Sequence, residues 1–266
     1  MADYIVCSPK MLPRDKWVSA ATKAISVNPL NHAPVQRLSL VIPGFKAKPE
    51  HLAVLVTKFW KVGGVQLTVG FLDNPETALR SRIISHMNAW NKTANVKFTE
   101  SKDAPDVRIA RTAGDGYWSF LGTDILTIEP DQPTMNLDSF TMNTLESEFH
   151  RVVRHETGHT MGFPHEHMRR KLVEKIDSPK AIRFFEETQG WDKETVIQQV
   201  LTPIEESQLL ATPRADENSI MCYQIPGSIT KDGQPILGGS DIDPLDFEFA
   251  AQIYPQPTAA VLAGAA

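Results

Sequence analysis

Scarce cysteine, the lack of a positive charge excess and the absence of long apolar runs each exclude a class of protein. The 266 residues include only two cysteines, too few for a disulfide framework. A net charge of −5 argues against a nucleic-acid-binding surface and against attachment to an anionic membrane. No apolar run approaches the roughly 18 residues that a membrane-spanning helix needs. The remaining composition, 41% hydrophobic and 22% charged, is typical of a globular domain with a buried core.

The first residues also lack the features of a secretory signal peptide. The segment from Met1 to Cys7 has no basic region followed by a long apolar stretch, so no Sec-type signal is predicted. Three interpretations of the location stay open. The protein remains inside the cell, it leaves by a non-classical route, or a leader has already been removed from the chain.

Length and patterning predict one main domain with an extension before it. A chain of 266 residues is long for a single domain and short for two. Four prolines between residues 29 and 49 indicate a connector, and regular hydrophobic patterning starts near Val62. We therefore divide the chain into an N-terminal extension at 1–60, a main domain at 61–256 and a flexible tail at 257–266.

The patterning of the main domain predicts an α/β (α+β) fold with one helix-backed sheet. Strands are predicted at 66–72, 96–99 and 106–110 and, from weaker patterns, at 124–128 and 135–137. Helices are predicted within 13–28, from a cap at Asn74 through Trp90, from Leu145 into a histidine-rich segment, as two or three short pieces within 168–205, and from a cap at Asp243 to Ile253.

The histidine-rich segment carries a metal-binding pattern. His155 and His159 are four residues apart on a predicted helix, so both imidazoles lie on one face, one turn from each other. That spacing lets two imidazoles bind one zinc ion. Glu156 is rotated by about 100° on the same helix and can reach a metal-bound water rather than the metal. The pattern HExxH also occurs by chance in ordinary helices, so it is weak evidence by itself.

A glycine and a third histidine make the pattern far more specific. His165 lies ten residues after His155, which would carry it off the shared face if the helix continued. Gly162 tolerates positive φ and lets the chain turn back, and Pro164 prevents the helix from continuing. Three histidines with an open fourth position describe a catalytic zinc site, because a structural site is closed by four protein ligands.

The chain resembles the metzincin metallopeptidases, whose signature HExxHxxGxxH is followed later by a methionine turn. Here the signature runs from His155 to His165, and the turn lies at 219–223. The Gly-Phe-Pro-His-Glu sequence that ends at Glu166 is most similar to the astacin group. The resemblance implies a two-lobed zincin in which 61–256 is the catalytic domain. Its upper lobe has a small twisted, mostly parallel sheet with an antiparallel edge strand, and its C-terminal lobe has the methionine turn and a terminal helix.

The resemblance also implies roles for residues outside the signature. Met221 forms an apolar floor below a single catalytic Zn²⁺, and Tyr223 is a switchable further zinc ligand. Glu166 matches the residue that binds the newly cut N-terminus in mature relatives. Substrate contacts are expected within 117–130, because the equivalent region leads into the edge strand over the cleft.

The chain departs from the usual astacin pattern at several points. The usual disulfides of the catalytic domain cannot form with only Cys7 and Cys222. The methionine turn has Cys222 where a histidine is common, and residues 167–171 replace an Arg-x-Asp-Arg-Asp stretch. We therefore interpret the chain as an atypical member. His167, two residues past His165, is a rival ligand that we interpret instead as a surface histidine or a support for the ligands.

These residues predict a zinc metalloendopeptidase that acts on protein or peptide substrates. Zinc would polarise the scissile carbonyl and acidify its water, with Glu156 as general base and Tyr223 as hydrogen-bond donor to the oxyanion. A narrow-specificity processing or effector protease shares this chemistry and stays open as an alternative. The non-enzyme alternative is a zinc-stabilised binding module, in which the Glu156 carboxylate would have no use. No phosphate-loop motif and no long basic run supports nucleotide or nucleic-acid binding.

Cys7 in the N-terminal extension is a candidate latency ligand. A thiolate binds zinc well, and several metzincins are held inactive by a propeptide residue in the open zinc position. Ser8 and Pro9 follow it and would keep the chain extended across a cleft. The alternative is that Cys7 is a small apolar residue in a short β-segment at 4–7.

Overall fold

The computed structural model describes residue 7 and residues 10–41, 56–203 and 215–257. In these ranges the chain forms a sheet-containing lobe and a smaller lobe, each with its own apolar cluster. None of the helices in these ranges is both long and apolar enough to cross a membrane. Residues 4–6 and 258–266, which hold most of the predicted β-segment before Cys7 and most of the predicted tail, lie outside the described residues.

Five strands form one sheet, which confirms the predicted fold class. They are β1 (Val65–Phe71), β2 (Val96–Glu100), β3 (Val107–Ala110), β4 (Tyr117–Ser119) and β5 (Met135–Leu137). Their order across the sheet is β2-β1-β3-β5-β4, and all neighbours are parallel except β4, which runs antiparallel to β5. β4 is therefore the antiparallel edge strand that the resemblance implied.

Two details of the predicted strands differ from the structure. The predicted strand at 124–128 is wrong, because Gly122–Thr127 is a 3-10 helix. That helix starts from Gly122, whose φ of 47° lies in the left-handed region that favours glycine. The three residues of β4 were not predicted as a strand. They lie between glycine-rich turns and are too few to show an alternating pattern.

The described helices surround this sheet and build the second lobe. In chain order they are α1 (Trp17–Val27), α2 (Ala33–Val41), α3 (Thr77–Met87), α4 (146–160), α5 (Arg170–Val173), α6 (Ser178–Gln189), α7 (Lys193–Val196) and α8 (Pro244–Ile253). The α4 helix is a continuous run of Glu146–Glu148, a π-helical turn at Phe149–Val153, and Arg154–Thr160. Its last segment lies against β4, and its π-helical turn lies against α3.

The helix predictions hold for the buried faces and fail at two helix starts. Leu79, Ile83, Met87 and Trp90 are all at most 2% exposed, as their helical spacing predicts. The Asn74 cap is wrong, because Asn74 takes a left-handed φ of 46° in the turn and α3 begins only at Thr77. Leu145 was predicted in a buried stripe and is 70% exposed, since α4 begins after it.

Side-chain caps define the starts of α6 and α8. The Asp177 side chain caps α6 by accepting from the backbone N–H of Lys180, and Gly190 ends the helix with a φ of 66°. The predicted cap at Asp243 is confirmed, and it forms a reciprocal capping box with Asp246.

The N-terminal helices pack on the main domain. The fully buried Asn31 donates its side-chain amide to the carbonyl oxygens of Ala24 and Phe59, at 2.9 and 2.8 Å, and accepts from the Thr57 hydroxyl at 2.8 Å. Lys16 Nζ donates to the carbonyl of Thr127 at 3.0 Å. The division at residue 60 stays a prediction. The Lys16 hydrogen bond crosses it, whereas the partners of Asn31 all lie before residue 60.

Candidate active site

Two histidines of α4 are oriented by backbone carbonyls. His155 and His159 project from the last segment of α4, four residues apart. Nδ1 of His155 lies 2.6 Å from the carbonyl oxygen of Ile220, and Nδ1 of His159 lies 2.8 Å from that of Phe163. A carbonyl only accepts, so each Nδ1 carries the proton and each Nε2 carries a lone pair.

The chain turns back after α4 and brings a third imidazole to the same place. Gly162 has a φ of 98°, and a Cβ there would lie 2.9 Å from the carbonyl oxygen of Lys58, so no larger residue fits without strain. The turn places Nε2 of His165 3.1 Å from Nε2 of His155 and 2.9 Å from Nε2 of His159. The structure therefore brings together the three histidines that the sequence singled out.

The chemistry of these three imidazoles fits a zinc ion. The Nε2 lone pairs of His155 and His159 point at Nε2 of His165, a contact that is favourable only with a cation or a proton between the nitrogens. Four-coordinate zinc with Zn–N bonds of about 2.0–2.1 Å holds its ligand atoms about 3.3 Å apart. Burial lowers the pKa of His155 to about 4 and the pKa values of His159 and His165 well below 6.5. The rings are therefore neutral, which is the form that binds a metal.

Glu156 lies beside the histidines without being one of the convergent ligands. Its side chain is 1% exposed, and its Oε2 accepts a hydrogen bond from Sγ of Cys7 at 3.4 Å. Burial raises the pKa of Glu156 to about 8, against the smaller lowering effects of the Cys7 hydrogen bond and of Arg151. A carboxyl group that exchanges its proton near neutral pH can serve as a general base in its ionised form.

Cys7 lies in the same pocket. Its Sγ and the ligand atoms of the three histidines all lie within 4.8 Å of one another. The residue forms an isolated parallel bridge with Tyr117 of β4 and is 5% exposed. Burial, and secondly the charge of Glu156, raise the pKa of the Cys7 thiol well above 9.0. This position is compatible with both interpretations of Cys7 from the sequence. It suits a fourth zinc ligand, and it also suits a small buried residue.

Tyr223 lies beneath the histidines and contacts the Cys7 backbone. Its hydroxyl donates to the carbonyl oxygen of Cys7, and its ring centroid lies 4.2 Å from that of His165. Burial, and secondly the charge of Cys7, raise the pKa of the phenol well above 10.0, so the hydroxyl keeps its proton. The Tyr223 hydroxyl is thus a hydrogen-bond donor beside the histidines, and the Cys7 carbonyl oxygen accepts its hydrogen bond.

His167 is a buried supporting residue, and its interpretation as a surface histidine is wrong. It is fully buried, and its ring stacks on Tyr223 with centroids 4.1 Å apart and planes at 15°. Nε2 of His167 lies 3.0 Å from the carbonyl oxygen of Gln199 and donates to it. This hydrogen bond and the stacking hold the ring against the Tyr223 phenol.

Met221 packs against α4, and the segment at 219–221 is held by a residue that sequence reasoning missed. A Cβ at Gly158 of α4 would collide with Sδ of Met221, so the thioether lies directly against the helix. Asp246 of α8 accepts from the Ser219 hydroxyl at 2.6 Å and from the backbone N–H of Ile220 at 2.8 Å. The carbonyl of Ile220 in turn orients His155. Asp246 therefore positions His155 through the backbone of Ile220.

Glu166 is paired within the chain. Its Oε1 lies 2.9 Å from a guanidinium nitrogen of Arg169 and accepts from the backbone N–H of Asp216 at 3.1 Å. The Arg169 side chain is only 6% exposed. The resemblance implied that this carboxylate binds a cut N-terminus, and in this structure Arg169 supplies the positive charge instead.

A family profile matches the part of the chain that holds the three histidines, Glu156 and Tyr223. The family profile described as Astacin, a peptidase family, matches residues 55–224, more than half of the chain. The zinc metalloproteinase nas-27 of Caenorhabditis elegans is 32% identical over 113 residues, which is 42% of this chain. That match spans only 23% of the length of nas-27.

Solved structures resemble the fold over most of its length. A structure of myroilysin has a TM-score of 0.70 and 30% sequence identity, and the match covers 76% of this chain and 97% of the myroilysin chain. High choriolytic enzyme 1, a hatching enzyme zinc-protease from the medaka fish Oryzias latipes, has a TM-score of 0.51 and 16% identity over 80% of this chain and 99% of its own. At that identity the hatching enzyme supports the fold alone.

Proposed function

This chain belongs to the astacin family of peptidases, and from that membership we propose that it is a zinc-dependent endopeptidase. The observation that carries the proposal is the convergence of three neutral imidazoles beside the buried carboxylate of Glu156. His155, His159 and His165 would hold one zinc ion. When bound, zinc polarises a scissile carbonyl and acidifies water.

The remaining chemistry falls to two side chains of this protein. In its ionised form Glu156 accepts a proton from the attacking water and passes it to the leaving amine. Tyr223 keeps its proton and donates a hydrogen bond to the developing oxyanion once its hydroxyl leaves the Cys7 carbonyl. Met221 and Gly162 serve the site structurally, as the floor under α4 and as the turn that returns His165.

The substrate is an extended protein or peptide segment that pairs with β4. This strand is the end of the sheet, and within the described residues its outer edge pairs with Cys7. A substrate strand would take the same place through backbone hydrogen bonds, so that its sequence matters mainly through side-chain pockets. Contacts within 117–130 follow from this arrangement.

We assign the segment around Cys7 as a latency element. Its thiol is near enough to complete the histidine set, its carbonyl holds the Tyr223 hydroxyl, and its thiol proton is directed at Glu156. One residue thus engages every group that the reaction needs. The proposal keeps the division predicted from the sequence, with 1–60 carrying the latency element and 61–256 carrying catalysis.

A peptide library tests the proposed function. The purified protein, trimmed of the Cys7 segment, should cleave internal peptide bonds, lose this activity to a chelator and regain it with zinc. Full zinc occupancy without any cleavage would favour a binding module. Digestion of one folded candidate without digestion of unfolded casein would favour a narrow-specificity processing protease.

A further inference from the structure

A second cluster of ligand-type side chains lies where α3 meets the start of α4. The ligand atoms of His86, Glu146 and His150 all lie within 4.8 Å of one another. Oε1 of Glu146 is 3.1 Å from Nε2 of His86 and 3.4 Å from Nε2 of His150. We propose that these three side chains form a second cation site, for a divalent transition metal of the zinc class.

The distances around Glu146 are those of neighbouring ligands on one metal ion. Zinc–nitrogen and zinc–oxygen bonds of about 2.0–2.1 Å in a tetrahedron separate the ligand atoms by about 3.3 Å. The two measured separations, 3.1 and 3.4 Å, bracket that value. Two imidazoles and one carboxylate are also a ligand set that zinc uses in catalytic sites, where a water completes the tetrahedron.

The hydrogen bonds of His150 put its lone pair on Nε2, where a metal ion would displace the Arg154 donor. Its Nδ1 lies 2.9 Å from Oδ2 of Asp241 and donates to it. A guanidinium nitrogen of Arg154 lies 3.2 Å from Nε2 and presents a donor, so Nε2 carries the lone pair. Asp241 is fixed by the backbone N–H of Ile242 at 2.7 Å. A carboxylate behind a histidine in this way is the usual support of a metal-bound imidazole.

The other two side chains differ in exposure. Arg82 hydrogen-bonds Oε2 of Glu146 at 2.6 Å, so Oε1 is the oxygen that faces the two imidazoles. His86 is 7% exposed and its Nδ1 has no hydrogen-bond partner among the described residues. The Glu146 side chain is 59% exposed and opens the site to solvent.

The charges around the proposed second site predict that it binds a cation more weakly than the three histidines do. The side chains of Arg82 and Arg154 already balance those of Glu146 and Asp241, so a bound cation adds net positive charge. Affinity should therefore be lower than at the three histidines, and the site should fill after them. A bound cation would join α3 to α4 and, because the unfolded chain lacks the site, stabilise the folded protein.

Equilibrium dialysis of the zinc-loaded full chain against rising free zinc tests the site. Wild-type protein should rise from about one to about two zinc ions per chain. Glu146→Gln, a surface change, should stay at one. His32→Gln, a histidine on a distant 3-10 helix, is the matched control and should bind like wild type. Asp241→Asn should weaken the second site by about 10- to 100-fold, the range for the carboxylate behind a ligand.

A thermal scan gives a second readout that does not depend on peptidase activity. At zinc about 100-fold above the second dissociation constant, wild-type protein should gain roughly 5 °C in Tm, and Glu146→Gln should gain none. The proposal is overturned if wild type takes up no second zinc ion up to the solubility limit of zinc. It is also overturned if Glu146→Gln binds the second ion as tightly as wild type, and the cluster is then an ion-pair network only.

Discussion

The sulfur of Cys7 lies 3.4 Å from Oε2 of Glu156, so a residue near the start of the chain contacts the carboxylate of the histidine helix. The contact joins residues 149 positions apart. This contact makes the N-terminal segment part of the site. The hydrogen bonding of the Glu156 carboxyl group therefore depends on whether that segment is in place.

Removal of this contact should activate the protein. Cys7→Ala should raise turnover of a quenched peptide at least tenfold at matched zinc content, which corresponds to about 1.4 kcal/mol of blocked access. Brief trypsin treatment should do the same, because Lys10 is exposed and precedes α1. Equal rates for full-length, Cys7→Ala and trimmed protein would leave Cys7 as a structural residue. Activation by trimming alone would assign latency to the segment and not to the thiol.

Loss of the third histidine should abolish zinc binding. In His165→Ala only two of the three convergent imidazoles remain, and metal analysis after dialysis should find little zinc. His167→Gln is the matched control, since Nε2 of His167 is committed to the Gln199 carbonyl, and it should keep its zinc. Full occupancy in His165→Ala would contradict the three-histidine assignment.

Glu156→Gln should keep zinc and fold but lose peptide hydrolysis. The amide has nearly the same shape and cannot accept the proton, so turnover should fall by about 10²- to 10⁴-fold. The comparison is made on protein without the Cys7 segment, because latency would otherwise mask the difference. Wild-type rates in the variant would remove Glu156 from the mechanism.

Tyr223→Phe should retain zinc and slow turnover by about 10²-fold, the lower range for one oxyanion donor. Tyr254→Phe is the comparison, because that hydroxyl donates to the Met161 carbonyl at 2.5 Å and accepts from the Trp60 N–H at 3.0 Å, away from the histidines. It should lower Tm and leave kcat unchanged. If both variants change only Tm, Tyr223 is a packing residue.

Arg169→Ala should destabilise the protein, because it leaves the largely buried Glu166 carboxylate, 20% exposed, without its cation. Breaking a buried ion pair by removing one partner costs about 3 kcal/mol or more. Urea unfolding should show this as a lower midpoint. Lys180→Ala breaks an exposed pair with Asp177 and should cost less than about 1 kcal/mol. Similar midpoints for the two variants would mean that Glu166 does not depend on Arg169.

The part of the site that lies within one segment could be predicted from the sequence, but few of the contacts between distant segments could be. His155, Glu156 and His159 share one helix, and Gly162 and Pro164 determine where the chain turns, so spacing and backbone preference suffice to predict the convergence with His165. The family resemblance added the edge strand and the methionine turn, which no periodicity in this chain would have indicated.

Contacts between distant segments were missed because no spacing encodes them. Asp246 reaches Ile220 across 26 positions, and His86 meets Glu146 and His150 only because α3 packs on α4. Leu145 was misassigned for a related reason. Its helical phase with Phe149 was correct, but the helix begins one residue later and leaves the side chain in solvent.

The attachment of α1 to the main domain determines how the latency segment competes with substrate. Cys7 lies ten positions before Trp17 of α1, and Lys16 anchors the helix start to Thr127. A tether this short holds the thiol at an effective concentration in the millimolar range. Inhibition is therefore independent of protein concentration while the chain is intact. A single cut near Lys10 would free a peptide that dilutes to its bulk concentration, so activation would be irreversible although α1 stays in place.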